Sequence, residues 1–217
     1  MATSRDLWSE ALAASQEKRP SNARERSRLD TRQRLMSAWI ELVAQKAPHA
    51  VSIKDITDRA EVSVGSFYCH FKDKDALTEE VALDCFGKLV RELDRIPERL
   101  ENDWDSRFEA AFGVLMDFAE RYTNEFMFLW RLSSGETKEG REFLRLWRDF
   151  WEDRIVDVTQ DFIDGRDLSP DVELSVAAHA VWGMGERVMS WWISHRDEVS
   201  RETVIRTMKR LVTQGLF

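Results

Sequence analysis

From Asp30 to Lys46 apolar side chains return at helical spacing, with Leu35, Trp39, Leu42 and Val43 on one face and Arg32, Arg34 and Glu41 elsewhere. That pattern predicts an amphipathic helix, closed by Pro48. A second, shorter helix is predicted over Ile53–Ala60, with Ser52 as its N-cap and Asp55 placed to complete a capping box. Ser63 caps a third helix carrying Val64 to Phe71. Ile56, Ala60, Val62, Phe67 and Phe71 supply the wedge between these helices, and Ala60 is small enough for close approach. Two short helices joined by a tight turn and packed on a longer one make a helix-turn-helix unit. Such a unit lays its second short helix in the major groove of DNA.

Beyond it the apolar period continues. A fourth helix is expected from Asp73 towards Arg95, with Leu77, Val81, Phe86, Leu89, Val90 and Leu93 as contacts, closed by Pro97. Further helices are predicted over Trp104–Tyr122, Phe126–Leu132, Thr137–Ile163, Pro170–Ser194 and Glu202–Gln214. No strand-like alternation competes with them. The expected fold is all-α: an arm over residues 1–28, partly flexible, a three-helix head over 29–76, and a helical ligand-binding and dimerisation body over 77–217. Within the arm, Leu7, Trp8, Ala11 and Leu12 share a short apolar face, and Lys18 to Arg28 reads as a linker.

Composition sharpens this picture. Four prolines and nine glycines in 217 residues favour long helices over a many-turned β fold. The net charge of −8 argues against a general polyanion binder, but the charge is unevenly placed. From Lys18 to Arg34 seven basic residues face two acids, a net of +5; from Thr78 onward 19 basic residues face 29 acids, a net of −10. A basic front on an acidic body suits a protein that touches DNA with one end. Cys69 and Cys85 are too few for a disulfide framework or a zinc site, so a reducing cytoplasm is the expected setting. No run approaches the ~18 apolar residues of a membrane span, and no membrane partner or cofactor is expected.

The run Gly65-Ser66-Phe67-Tyr68-Cys69-His70-Phe71, followed by Lys72-Asp73-Lys74-Asp75-Ala76-Leu77, resembles the head of the TetR family of transcriptional regulators. Ser52-Ile53-Lys54-Asp55-Ile56 and Ala60-Glu61-Val62-Ser63 match at the proper spacing upstream. The resemblance covers Leu29 to about Val81 and implies an all-helical homodimer, a ligand-binding C-terminal body and a repressor's role. Ser52 and Lys54 open the second helix, where a hydroxyl, backbone N–H groups and a cation suit a phosphate. Val64, Gly65 and Ser66 would face base edges: a methyl partner for thymine, room for close approach, and a hydroxyl. Tyr68 and His70 resemble the family's phosphate-contacting pair, and Lys74 its phosphate clamp. Two positions depart from the pattern. Glu61 stands where glycine is common, which implies strain if its φ is positive. Cys69 replaces a larger residue. Arg24, Arg26 and Arg28 are candidates for an arm in the adjacent minor groove.

Seven of the nine tryptophans fall from Trp104 onward, among many phenylalanines. Such side chains build cores, and they also line pockets for flat or greasy ligands. Phe86, Leu89, Phe112, Trp130, Trp147, Trp151 and Met184 are the candidate effector contacts, with Glu186 as a charged one. Arg141, Arg145 and Arg148 form a basic stripe suited to an acyl-coenzyme A, whereas Glu186 suits a lipophilic cation. Ala177, Ala178, Ala180, Gly183 and Gly185 permit close helix contact, and Val204, Ile205, Met208, Leu211 and Val212 form an apolar stripe, so the last two helices are the expected dimer seam. The rival classes are a helical enzyme and a protein-partner module that has lost DNA binding. The enzyme is disfavoured: His49, His70, His179 and His195 form no ordered metal set, and no nucleophile elbow or phosphate loop is present.

Overall fold

The computed structural model describes residues 22–93, 104–133 and 173–214, and these are all-helical. Eight α-helices fall within the described residues: α1 (Ala23–Gln45), α2 (Ile53–Arg59), α3 (Val64–His70), α4 (Lys74–Leu93), α5 (Trp104–Arg121), α6 (Thr123–Ser133), α7 (Leu174–Trp192) and α8 (Arg201–Gln214). The expected helix over Thr137–Ile163, its arginine stripe, Trp147, Trp151 and the apolar face near Trp8 lie outside the described residues.

The start of α1 corrects the sequence reading. The apolar stripe begins at Leu35, which set the expected start near Asp30, yet the helix begins at Ala23. The Asn22 side chain accepts a hydrogen bond from the Glu25 N–H at 2.9 Å, satisfying one otherwise orphaned donor. Residues 22–30 are solvent-exposed, so no burial marks them in the pattern. Arg24, Arg26 and Arg28 are therefore helical residues, not part of an extended arm.

The described residues divide into two compact units, one reaching Lys88 together with Asn124–Ser133, the other holding those of Leu89–Thr123 and from Glu173 onward. In the first unit, Leu35, Met36, Trp39, Ile40 and Val43 of α1 are buried, as are Ile56, Ala60, Phe67, Phe71, Leu77 and Val81. Both α2 and α3 pack on α1 and on each other. A single 3-10 turn, Pro48–Ala50, carries the chain from α1 to α2. The capping box of α2 is complete: Ser52 Oγ accepts from Asp55 N–H at 3.1 Å and Ser52 N–H donates to Asp55 Oδ2 at 2.8 Å, worth about 1 kcal/mol. Lys88 bridges Asp84 at 3.0 Å on its own helix and Glu125 at 3.5 Å on α6.

In the second unit α8 packs on α5. Val204 and Met208 are buried, Arg201 reaches Asp117 and donates to the Gly113 carbonyl at 2.9 Å, and Lys209 pairs with Glu109 at 2.7 Å. Two members of the expected α8 dimer stripe thus serve the core, while Ile205, Leu211 and Val212 are half-buried. On α7, Gly185 is buried, and a Cβ there would lie 3.4 Å from the Phe112 ring. Gly183, two residues earlier, has nothing among the described residues within 4 Å of its would-be Cβ. The two glycines therefore differ in kind: one admits a neighbouring ring, the other leaves open space.

Candidate nucleic-acid interface

The site is built around α3. Ser63 Oγ accepts from the Ser66 N–H at 3.1 Å, starting the helix. Phe67 and Phe71, four residues apart, are buried and hold the inner face. Val64 and Tyr68, also four apart, face outward and remain 45% and 57% exposed, so they share one open face of α3. Gly65 and Cys69 are exposed as well. A Cβ at Gly65 would meet only Ser63 Oγ at 3.7 Å, an ordinary contact, so the fold itself does not demand glycine there. The Ser66 hydroxyl is half-buried and 3.1 Å from Ser63 Oγ, which ties it to the cap.

The α2 end is more self-contained than its sequence indicated. Ser52 Oγ donates to Asp55 Oδ2 at 2.7 Å while accepting from the backbone, so the hydroxyl is committed to the cap. Those bonds from Ser52 hold the Asp55 carboxyl below its ordinary pKa. A carboxylate thus sits at the helix end where a phosphate would otherwise be received. Lys54 is exposed and pairs with Asp58 at 2.6 Å, which raises its pKa.

Lys74 has a place of its own. Its Nζ turns inward, donating to the Val51 carbonyl at 2.7 Å and the Pro48 carbonyl at 3.3 Å, and lies 5.8 Å from the centre of the Trp39 ring. The Pro48 carbonyl also accepts the Val51 N–H at 3.3 Å, so it is shared between the turn and the ammonium. Lys74 fastens the loop before α2 in this geometry, where the sequence suggested an outward phosphate clamp. The exposed cation next to α3 is Lys72, whose side chain is 90% accessible and 3.9 Å from Asp73. Sequence reading passed over it, though a lysine directly after the helix was a usable signal.

His70 ends α3 half-buried, and its Nδ1 is buried without a hydrogen-bond partner. Burial, then the charges of Arg28 and Arg32, push its pKa below the ordinary 6.5, so the ring is neutral near pH 7. Arg32 is a positioning residue that the sequence did not single out. Its guanidinium makes a two-pronged pair with Glu80 of α4, donates to the His70 carbonyl at 3.2 Å, and stacks 4.7 Å from the Phe71 ring centre. One side chain therefore joins α1, α4 and the end of α3. Glu61, in the turn, has φ +53°, so the condition for backbone strain at that position is met. Arg34 donates to its carbonyl at 3.2 Å and approaches its carboxylate at 3.4 Å.

The candidate effector residues divide between the units. Phe86, fully buried, and Trp130, half-buried, belong to the first; Leu89, Phe112, Met184 and Glu186 belong to the second, with Leu89 and Phe112 buried and the other two half-buried. Among the described residues no group of His, Cys, Asp and Glu could hold a metal ion, and no described helix is long and apolar enough to cross a membrane.

The family model described as bacterial regulatory proteins of the tetR family matches residues 35–81, the α1–α4 region just described. The chain is 28% identical over 204 residues to the HTH-type transcriptional repressor KstR2 of Mycolicibacterium smegmatis, covering 85% of this chain and 90% of that one. It spans about half the length or less of two other curated HTH-type regulators it matches, 41% and 51%. A TetR-like regulator from Rhodococcus sp. RHA1 shares the fold with a TM-score of 0.71 at 18% identity, covering 86% of this chain and 95% of that one. The FadR regulator of Bacillus subtilis, solved in complex with stearoyl-CoA, has a TM-score of 0.70 at 12% identity, covering 85% and 99%. These proteins are transcriptional regulators, and none is described as an enzyme.

Proposed function

We propose, from the match of residues 35–81 to the family model of bacterial regulatory proteins of the tetR family, that the chain is a transcriptional repressor that binds a palindromic operator as a homodimer and is released by a hydrophobic effector. The observation that carries this reading is the outer face of α3, where Val64 and Tyr68 stand exposed beside a glycine that packing does not require. Val64 would meet a thymine methyl, Gly65 would let the backbone approach the base edges, and Tyr68 would reach a phosphate. Ser66, Lys54 and His70 flank that face. Lys72 joins them as the outward cation, with Lys74 holding the loop behind. Selection of binding fragments from a random-sequence duplex pool, followed by gel shift, tests the assignment. Val64→Glu leaves the buried Phe67 face untouched but sets a carboxylate against the duplex, so it should abolish retardation. Retention of full affinity by Val64→Glu would overturn the groove assignment. Failure of the wild-type chain to enrich any fragment would favour a protein-partner module instead.

The homodimer reading rests on α7. Val176 (66% exposed), Ala180, Gly183, Arg187 and Trp191 (44% exposed) recur at helical spacing on an open face, small in the middle and larger at the ends. The effector reading draws on the aromatic content from Trp104 onward and on the stearoyl-CoA complex of the FadR neighbour. An acyl-coenzyme A is the preferred class, with a lipophilic cation read by Glu186 as the alternative. The effector need only bind the DNA-free conformation more tightly, since differential affinity sets the shift. Stearoyl-coenzyme A, free coenzyme A and tetraphenylphosphonium titrated against the protein–DNA complex separate the classes: release by the first alone supports the acyl reading, and release by the phosphonium alone overturns it.

A further inference from the structure

The N-terminal turns of α1 extend past the head as a solvent-exposed helix, and their arginines are placed by that helix. Arg24, Arg28 and Arg32 are spaced by four, so they form one stripe with steps of about 6 Å along the axis. The inner end of the stripe is anchored: Arg32 is paired with Glu80 and bonded to the His70 carbonyl at the end of α3. Arg28 and Arg24 lie one and two turns further out, both exposed, and neither forms an ion pair among the described residues. Arg26 points away from the stripe by well over a quarter turn.

We propose that Arg24 and Arg28 form a second DNA contact, a helical phosphate clamp that lengthens the footprint of α3 along the duplex backbone. This rests on the DNA-binding reading above and changes the expectation for these residues. Held on a helix, they meet phosphates, whereas an extended arm would enter the minor groove. The partner is the polyanionic backbone, so the contact adds affinity without sequence preference.

The test uses the full chain, two fluorescent duplexes (one selected for binding, one of random sequence) and anisotropy titrations over about 50 to 200 mM salt. Arg24→Gln with Arg28→Gln should make the salt slope shallower by about 0.9 per lost phosphate contact, close to 2 per chain, on both duplexes alike. Arg26→Gln should leave the slope nearly unchanged. All three positions are exposed, so circular dichroism should show the fold intact. An unchanged slope in the double variant, with Tyr68→Ala still weakening the selected duplex, overturns this proposal and leaves the groove assignment standing. A loss confined to A·T-rich flanks overturns it in favour of minor-groove entry. If the wild-type chain binds neither duplex, the DNA-binding reading itself falls, and this inference with it.

Discussion

Glu61 shows what one residue can cost. Its left-handed conformation strains a side chain with a Cβ by about 1–2 kcal/mol. Its carboxylate lies 3.4 Å from Arg34 but is largely solvent-exposed, so that pair offsets little. Glu61→Gly should therefore raise stability by about 1 kcal/mol in urea unfolding and strengthen duplex binding by removing a negative charge; a lower unfolding midpoint would contradict this. His70 gives a pH dependence. Its pKa in the free protein lies below 6.5, and a bound phosphate would raise it. The protonated ring then favours the complex, an effect fully present below the free pKa and lost as pH rises through the bound one. Duplex affinity should increase from pH 7.5 towards about pH 6 beyond the general trend, and His70→Gln should remove that increment. Folding responds with the opposite sign: the unfolded chain binds this proton more readily, so stability falls as pH drops below 6.5. The Ser52 cap was legible because it is local, and the absence of glycine at position 61 flagged where a positive φ would strain the chain. The inward turn of Lys74 was not legible, because it depends on carbonyls at Pro48 and Val51, more than twenty residues away.

At the scale of elements, the helices were legible wherever one face is buried. The ends of α5, α7 and α8 fall within a few residues of the expected positions because apolar spacing marks them. The outer turns of α1 carry no such mark, and only the Asn22 cap signalled them. Contacts between elements were also hidden, since Arg32 and Glu80 stand 48 positions apart. Arg32 holds the end of α3 against α1 and α4, so Arg32→Ala should lower stability by about 1 kcal/mol, discounted for a pair that is one-third exposed. Arg32→Lys should not restore it, because an ammonium cannot make the two-pronged contact and cap His70 together. Full recovery by lysine in thermal unfolding would show that charge alone suffices.

For the whole molecule, the two glycines of α7 test folding and the proposed dimer seam separately. A Cβ at Gly185 meets the Phe112 ring at 3.4 Å, whereas one at Gly183 meets nothing within 4 Å among the described residues. Gly185→Leu should lower the melting temperature sharply. Gly183→Leu should fold normally yet sediment as a monomer, because only a second copy would collide with it; a stable Gly183→Leu dimer would move the seam elsewhere. The all-helical class and the helix-turn-helix arrangement of α1 to α3 were visible from the chain alone. Which rings would line a pocket was not, because aromatic spacing looks the same whether a ring fills a core or lines a cavity. One feature equips the native protein for direct measurement. Cys69 is exposed on the outer face of α3, while Cys85 is wholly buried with its thiol pKa pushed well up by that burial. A maleimide dye should attach at one position without any engineering, and bound duplex should shield that thiol from alkylation. The labelling rate thereby becomes an occupancy gauge for the recognition helix.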